Sequence, residues 1–264
     1  MALALGLHAE IGTVDEESVG VPDGARPIDR HHPAAIAFEA LGGTGALWER
    51  SAIPAGRGLG FSGAVRVGGA LLGRAQATGS IVIDDAVRHA VLPHVTELEG
   101  HADNVAASLF GGAVVTAGGR VVRVPLAIDP AVVVWIPSFV TKTDESRRTL
   151  AASVSFDDAV FNVGRVAILV AALAAGDIDA LATATEDRLH QPARLSRTEP
   201  CRAAMAAALD AGAWCSWLSG SGPTVAALCH RGDAEAVVSG LPEGAHCKVL
   251  RLDHEGATIE PAYT

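Results

Sequence analysis

The sequence predicts a protein of mixed helix and strand in one large domain or two small ones, and three observations carry that prediction. The chain has 264 residues, enough for one large domain or two small ones. Short β-branched runs alternate with longer stretches of helical apolar spacing from one end to the other. Hydrophobic residues make up 49% of the chain, so a sizeable core can form and extended disorder is not expected. Aromatics are scarce and Ala and Gly abundant, which predicts close packing of small side chains. The turn at Asp129-Pro130 sets a domain boundary near Ile128, giving domains 1–128 and 129–264.

Residues 2–14 alternate loosely and read as a strand. Residues 15–33 are polar, with Pro22, Pro27 and Pro33, and read as loop; His31 and His32 have no third metal ligand near them in sequence. Ala34–Leu47 reads as a helix interrupted by Gly42-Gly43, and Trp48–Pro54 as a strand. A glycine-rich turn follows, then a helix of small residues from Ser62 to about Gln76. Asp84–Leu98 reads as another helix. Ala113–Thr116 and Arg120–Leu126 form a hairpin across Gly118-Gly119, and Val132–Ile136 a further strand. Phe156–Ala175 is a helix with Phe161, Val166, Leu169 and Leu173 on one stripe and Asn162 and Arg165 on another face. Ile178–His190 and Pro200–Gly212 read as helices, residues 213–228 as strand, glycine turn and strand, 233–240 as a helix and Lys248–Leu252 as a strand.

Charge and cysteine usage narrow the function. A formal charge of −10 argues against an extended nucleic-acid surface. Cys201, Cys215, Cys229 and Cys247 show neither a C-x-x-C pair nor zinc spacing, so buried reduced thiols in a cytoplasmic protein are expected. Met1–Leu7 is apolar but lacks a basic flank and a cleavage site, so no signal peptide is predicted. The longest charge-free stretch, Ala211–His230, contains S-G-S-G-P and makes a poor membrane span. No nucleic-acid or membrane partner is therefore expected.

The stretch with the most chemistry is Ile53–Val67, I-P-A-G-R-G-L-G-F-S-G-A-V-R-V. Its glycines, at 56, 58, 60 and 63, precede or open a helix. Such a loop offers unpaired N–H groups and the positive end of the helix dipole, which suit a phosphate. Ser62 adds a hydroxyl able to reach a metal or a phosphate oxygen. The spacing matches neither G-x-x-x-x-G-K-[ST] nor a full G-x-G-x-x-G followed by an acidic residue. A second concentration of polar groups, Glu97, Glu99, His101, Asp103 and Asn104, lies in T-E-L-E-G-H-A-D-N-V-A. Helix capping needs only one such residue, not a cluster.

Read as P-x-x-x-G-L-G-x-S-x-A, the glycine stretch resembles the second motif of the GHMP kinase family, P-x-x-x-G-L-G-S-S-A-A. Pro54, Gly58, Leu59, Gly60, Ser62 and Ala64 match, while Phe61 and Gly63 stand where the family has Ser and Ala. E-G-H-x-D-N-V-A at 99–106 resembles the substrate-facing segment of the homoserine kinase branch. S-F-V-T-K-T-D-E-S-R-R-T-L resembles the family's T-x-x-x-R, with Thr143 and Arg147 as the matching pair. D-R-L-H-Q-P-A-R at 187–194 resembles D-x-L-H-x-P-x-R, and L-S-G-S-G-P-T at 218–224 resembles the third GHMP motif. The first motif, close to N-L-G-P-G-F-D, is missing ahead of Ala2. Either the start was assigned at an internal Met or the form is truncated; an unpaired sheet edge and a partly open substrate pocket would follow.

The resemblance implies a two-domain GHMP kinase fold: a ribosomal protein S5 domain 2-like α/β domain carrying the glycine loop, then a ferredoxin-like α+β domain. It implies ATP as cofactor, bound by Pro54, Ala55, Gly56, Arg57, Gly58, Leu59, Gly60, Phe61, Ser62, Gly63 and Ala64. It implies Mg2+ held by Ser62 with a carboxylate upstream of the histidine, Glu97 first and Glu99 in reserve. L-homoserine is the implied substrate, facing His101, Asp103, Asn104, Thr143, Arg147 and Arg194, with Arg147 and Asp103 in catalytic roles. Gly220, Ser221 and Gly222 brace the phosphate loop, and a homodimer is possible, being common in the family. Two alternatives stay open: a GHMP kinase for a mevalonate- or pantoate-type substrate, and a non-catalytic homologue, to which Phe61 and the absent first motif point.

Overall fold

The computed structural model describes residues 1–14, 21–139 and 150–261. Thr143 and Arg147 lie outside the described residues. The chain divides into two compact units, but not by a single cut near Ile128. The first holds Met1–Pro54, Gly60–Arg123 and Asp253–Thr264; the second holds Ala55–Leu59 and Val124–Leu252.

The first unit carries two three-stranded sheets. One has the order β1 (Ala2–Leu3), β5 (Ala113–Ala117), β6 (Arg120–Val124); the other has the order β2 (Ala9–Thr13), β4 (Leu47–Ser51), β3 (Arg26–Ile28). The expected strand over 2–14 is thus two strands in different sheets. A tight turn, Leu7 N–H to Leu5 C=O at 2.7 Å, bends the chain between them. Strand β3 was hidden by its proline. Pro27 has no N–H to give, and an edge strand tolerates it.

Among the described residues four helices cover these sheets: α1 (Pro33–Ala40), α2 (Phe61–Thr78), α3 (Asp85–Glu99) and α4 (Asp103–Phe110). Helix α1 stops at Ala40, ahead of Gly42 at φ 91°, and Leu47 belongs to β4, so the helix expected to Leu47 is much shorter. Helix α2 lies closest to α1 through its glycines. A Cβ at Gly69 would sit 2.0 Å from the Ala34 carbonyl oxygen, and one at Gly73 2.2 Å from that of Phe38. Val67, Leu71, Val91, Val95, Val105 and Leu109 make the core between the helices. The segment that follows Leu252 returns here: Gly112 N–H donates to Asp253 C=O at 2.6 Å and Asp253 N–H to Ala4 C=O at 3.0 Å.

The second unit is a four-stranded antiparallel sheet of β7 (Ala131–Pro137), β8 (Cys215–Leu218), β9 (Val225–Cys229) and β10 (Ala245–Leu250). Its order is β10-β7-β9-β8. Strands one to four in chain order thus run 4-1-3-2, the ferredoxin-like arrangement, and β7 is buried along its whole length. Helices α5 (Phe156–Ala175), α6 (Leu181–Ala184), α7 (Gln191–Leu195) and α8 (Glu199–Asp210) lie between β7 and β8 in sequence, and α9 (Ala234–Gly240) precedes β10.

One sequence expectation fails in this unit. The helix expected over 178–190 breaks into α6 and a turn. Thr185 Oγ1 bonds back to the Leu181 carbonyl at 3.1 Å, and the Asp187 carboxylate takes the N–H groups of His190 and Gln191, diverting the backbone from the helical pattern. Helix α5 exists as expected; along its stripe Leu173 is buried, Phe161 and Leu169 are half-buried and Val166 is exposed. Phe161 is clasped by guanidinium groups, Arg165 at 4.0 Å and Arg188 at 3.8 Å from the ring centre. Among the described residues α5 is the one helix long and apolar enough, by length and composition, to cross a membrane.

Candidate functional site

The glycine loop is fixed at its first half by the turn between β8 and β9. Ser219 Oγ donates to the Gly58 carbonyl at 2.8 Å, and Thr224 N–H donates to that of Arg57 at 3.4 Å. Gly58 has φ 75°, and a Cβ there would lie 2.2 Å from the Ser219 carbonyl oxygen, so only glycine fits. The S-G-S-G-P-T turn therefore braces the loop, as the motif implied. Arg57 donates to the carbonyls of Pro137 and Phe139, so its charge is spent on holding the loop.

The second half of the loop opens α2. Gly60 is the N-cap at φ 77° with no side chain capping it, and the first helical bond is Ala64 N–H to Gly60 C=O at 3.0 Å. The N–H groups of Phe61, Ser62 and Gly63 precede that bond and have no partner within the helix. They stand at the positive end of an 18-residue helix, which is the donor set an anionic phosphate needs.

Around this turn the first unit gathers a polar cluster. Ser62 Oγ donates to Glu99 Oε2 at 2.7 Å, and Arg66 Nε donates to the same oxygen at 2.8 Å. His101 Nε2 lies 3.7 Å from Glu99 Oε1, and His101 Nδ1 is 2.5 Å from Asp103 Oδ1. Asp103 Oδ1 also accepts the Asn104 N–H at 2.8 Å. The bond from His101, with that from Asn104, holds the Asp103 carboxyl below the usual carboxylate range against the opposing pull of burial. Asn104 lies against the loop backbone: a Cβ at Gly60 would be 3.5 Å from its Cγ, and one at Gly63 3.3 Å from its Cβ. Capping does not explain the cluster, because the N-cap of α4 is Ala102 and no side chain caps it.

Glu97 does not join Ser62. It sits two residues before Glu99 on α3, about 200° round the helix, and is exposed. The carboxylate that meets Ser62 is Glu99. The ring of Phe61 turns to the N-terminus of α1, edge-on to His32 with centres 6.2 Å apart. His32 accepts the Ala34 N–H on Nδ1 at 3.2 Å and places Nε2 2.8 Å from Glu49, which is 3% exposed. Burial lowers the His32 pKa in spite of Glu49.

In the second unit, Asp187 organises D-R-L-H-Q-P-A-R. It accepts from Asn162 Nδ2 at 2.6 Å, His190 N–H at 2.8 Å and Gln191 N–H at 2.6 Å. Burial pushes its pKa up, but these donors outweigh burial and the net shift is downward. Arg194 Nη1 donates to the Gly220 carbonyl at 3.0 Å and lies 3.2 Å from His190 Nδ1. Asn162 and Arg165 are both engaged across the same segment, Arg165 with Glu186 at 2.7 Å.

The loop amides suit the phosphates of a nucleotide. The expected metal fares differently. Among the described residues no group of three or more His, Cys, Asp or Glu side chains is placed to hold a metal ion. Ser62 and Glu99 are hard oxygen donors of the kind that take Mg2+, but the Arg66 guanidinium already lies on Glu99 Oε2, the oxygen that Ser62 also meets. As they stand they do not fit a metal. Arg66 was missed in the sequence because it falls past the end of the motif. Its position four residues after Ser62, on the same helical face, was the available signal.

Comparison with known proteins agrees with this geometry. The family model described as "GHMP kinases C terminal" matches residues 169–246. A homoserine kinase of Moorella thermoacetica is 44% identical over 183 residues, which span 68% of this chain and 60% of that protein's own length. A homoserine kinase of Streptomyces avermitilis is 37% identical over 268 residues, 97% of this chain and 84% of its own. The crystal structure of homoserine kinase from Cytophaga hutchinsonii superposes with a TM-score of 0.74 at 26% identity, covering 96% of this chain and 86% of that one. The second-unit strand order, the braced glycine loop and these likenesses lead to one conclusion: the chain belongs to the homoserine kinase family of the GHMP kinases.

Proposed function

We infer that this chain transfers the γ-phosphoryl group of ATP to the side-chain hydroxyl of L-homoserine, forming O-phospho-L-homoserine for threonine biosynthesis and releasing ADP. The observation that carries the reading is the uncapped first turn of α2 beside the Glu99–His101–Asp103–Asn104 cluster. Phosphoryl transfer of this kind depends on alignment and charge stabilisation, with little covalent work for the protein. The N–H groups of Phe61, Ser62 and Gly63 bind the phosphates and face the charge that moves toward the leaving oxygen. Glu99 fixes the direction of the Ser62 hydroxyl.

His101, Asp103 and Asn104 orient the amino acid. Asp103, ionised at neutral pH, is the acceptor nearest to hand for the hydroxyl proton, with His101 as its partner. In a loose transition state the new O–P bond is weak, so that proton leaves late and no strong base is required. Arg147 and Arg194 hold the substrate carboxylate, a task for which a guanidinium fork is suited. Magnesium enters this reading as a companion of the nucleotide, and no step is assigned to it. The reading is cytoplasmic, in keeping with four free cysteines, of which Cys215 has its pKa pushed up to about 12 by burial.

A coupled assay of ADP release tests the reading. Homoserine is expected to support turnover far faster than mevalonate or pantoate. Equal rates with all three would reassign the substrate, and ADP release with none would leave a binding protein in place of an enzyme.

A further inference from the structure

We propose that Arg66 fills the cation position beside Glu99, so that this chain places a fixed guanidinium, not a protein-held divalent metal, next to its phosphate loop. The inference rests on the reading of the first turn of α2 as that loop.

Position follows from the helix. Ser62 and Arg66 are four residues apart, so their side chains share one face of α2 at its N-terminal end. Both reach Glu99 at the last residue of α3, and both bond to the same oxygen, Oε2, at 2.7 and 2.8 Å. The other oxygen faces His101 Nε2 at 3.7 Å. Each oxygen of the carboxylate is thus faced by a nitrogen of this chain.

Burial makes the arrangement hard to displace. The Glu99 side chain is 8% exposed and that of Arg66 16%, so water screens the pair weakly. A magnesium ion demands near-octahedral oxygen ligands at about 2.0–2.1 Å. To bind Glu99 Oε2 it would have to expel the Arg66 Nε–H and then sit beside an unpaired, half-buried guanidinium. Like charges at that spacing oppose one another, and a buried arginine without its partner is strongly disfavoured. The guanidinium meanwhile supplies what a metal supplies electrostatically, a fixed positive charge near the phosphates.

Mn2+ binding, followed by electron paramagnetic resonance on the full chain with saturating ADP, tests the proposal. Four proteins are compared: the natural chain, Glu99→Gln, Arg66→Met and the double variant. Glu99→Gln is expected to leave the Mn2+ affinity of the natural complex within about twofold, since no ligand is lost. Arg66→Met is expected to raise Mn2+ affinity roughly tenfold, and the double variant to lose that gain. A tenfold loss on Glu99→Gln alone would show that Glu99 already ligates metal and would overturn the proposal. So would an Arg66→Met protein that melts near the natural temperature yet binds Mn2+ no more tightly.

If Arg66→Met does not fold, the Glu99→Gln comparison still decides. Metal-free ADP affinity, measured by calorimetry on the same samples, separates the two claims. A natural chain that binds no ADP contradicts the phosphate-loop reading, and the Mn2+ comparison is then read on the nucleotide-free chain with the same outcomes.

Discussion

Two carboxylates in this molecule have the same exposure and opposite kinds of partner. The side chains of Glu99, in the first unit, and Asp187, in the second, are each 8% exposed. Asp187 is held mainly by main-chain N–H groups, those of His190 and Gln191, with Asn162 as a third donor. Glu99 is held by side chains, Ser62 and Arg66. Main-chain donors at a helix start cannot turn away without unwinding α7, so Asp187 builds the fold. The side-chain donors on Glu99 hold no helix start in place, so on the proposed reading Glu99 belongs to the site. Burial alone would not have told the two apart; the identity of the donors does.

Replacing each carboxylate by alanine is the sharpest way to break this contrast. Glu99→Ala is expected to lower kcat/KM for homoserine by about 10²–10³-fold, the range seen when one well-placed polar group is removed from a charge-stabilising site. Its melting temperature should change less than that of Asp187→Ala. Asp187→Ala leaves two main-chain N–H groups unpaired, each costing about 1–3 kcal/mol. For a chain of this size that is a fall of several degrees, at about 2–4 °C per kcal/mol. Steady-state kinetics and thermal melts on both variants check the pattern. A Glu99 variant that is chiefly unstable, or an Asp187 variant that is chiefly inactive at full stability, would erase the distinction.

A smaller effect depends on pH and is shared by the two units. Asp103 and Asp187 both have depressed pKa values. Each contributes stability that is complete above the ordinary value of 3.8 and is lost as pH falls through the folded value. His190 behaves differently. Burial, the largest cause, and the nearby Arg194 lower its pKa in spite of Asp187. The folded state then binds fewer protons than the unfolded one, so stability should decline as pH drops below about 6.5. His32 adds to the same decline from the first unit. Urea unfolding of the natural chain and of His190→Gln at pH 7.5 and 5.5 checks this: the variant should lose less on acidification. Identical losses would assign the decline to His32.

Much of this was legible in the residues. The glycines at 56–63 predicted a turn opening a helix, the polar run at 97–104 predicted a cluster because its density exceeds what capping requires, and the resemblance of L-S-G-S-G-P-T to the third GHMP motif implied the brace. Glu97 against Glu99 was not settled by pattern, since a two-residue step reverses the helical face and only the packing of α3 on α2 shows which face meets Ser62. Strand β3 escaped because Pro27 is read as a loop residue when its partner strand is unknown. On α5 periodicity showed which residues share a face, not what that face meets: Leu173 reaches the core and Phe161 meets two arginines. Arg66 lay outside the motif, and its meaning came from Glu99, 33 residues away.

The central claim is that main-chain amides at the start of α2 grip the phosphates. Amide nuclear magnetic resonance of the full chain, titrated with a non-hydrolysable ATP analogue, tests it most directly. The account predicts saturable shifts of the Phe61, Ser62 and Gly63 amide signals with a common dissociation constant. Unmoved signals at these three residues, while others shift with the bound nucleotide, would contradict it.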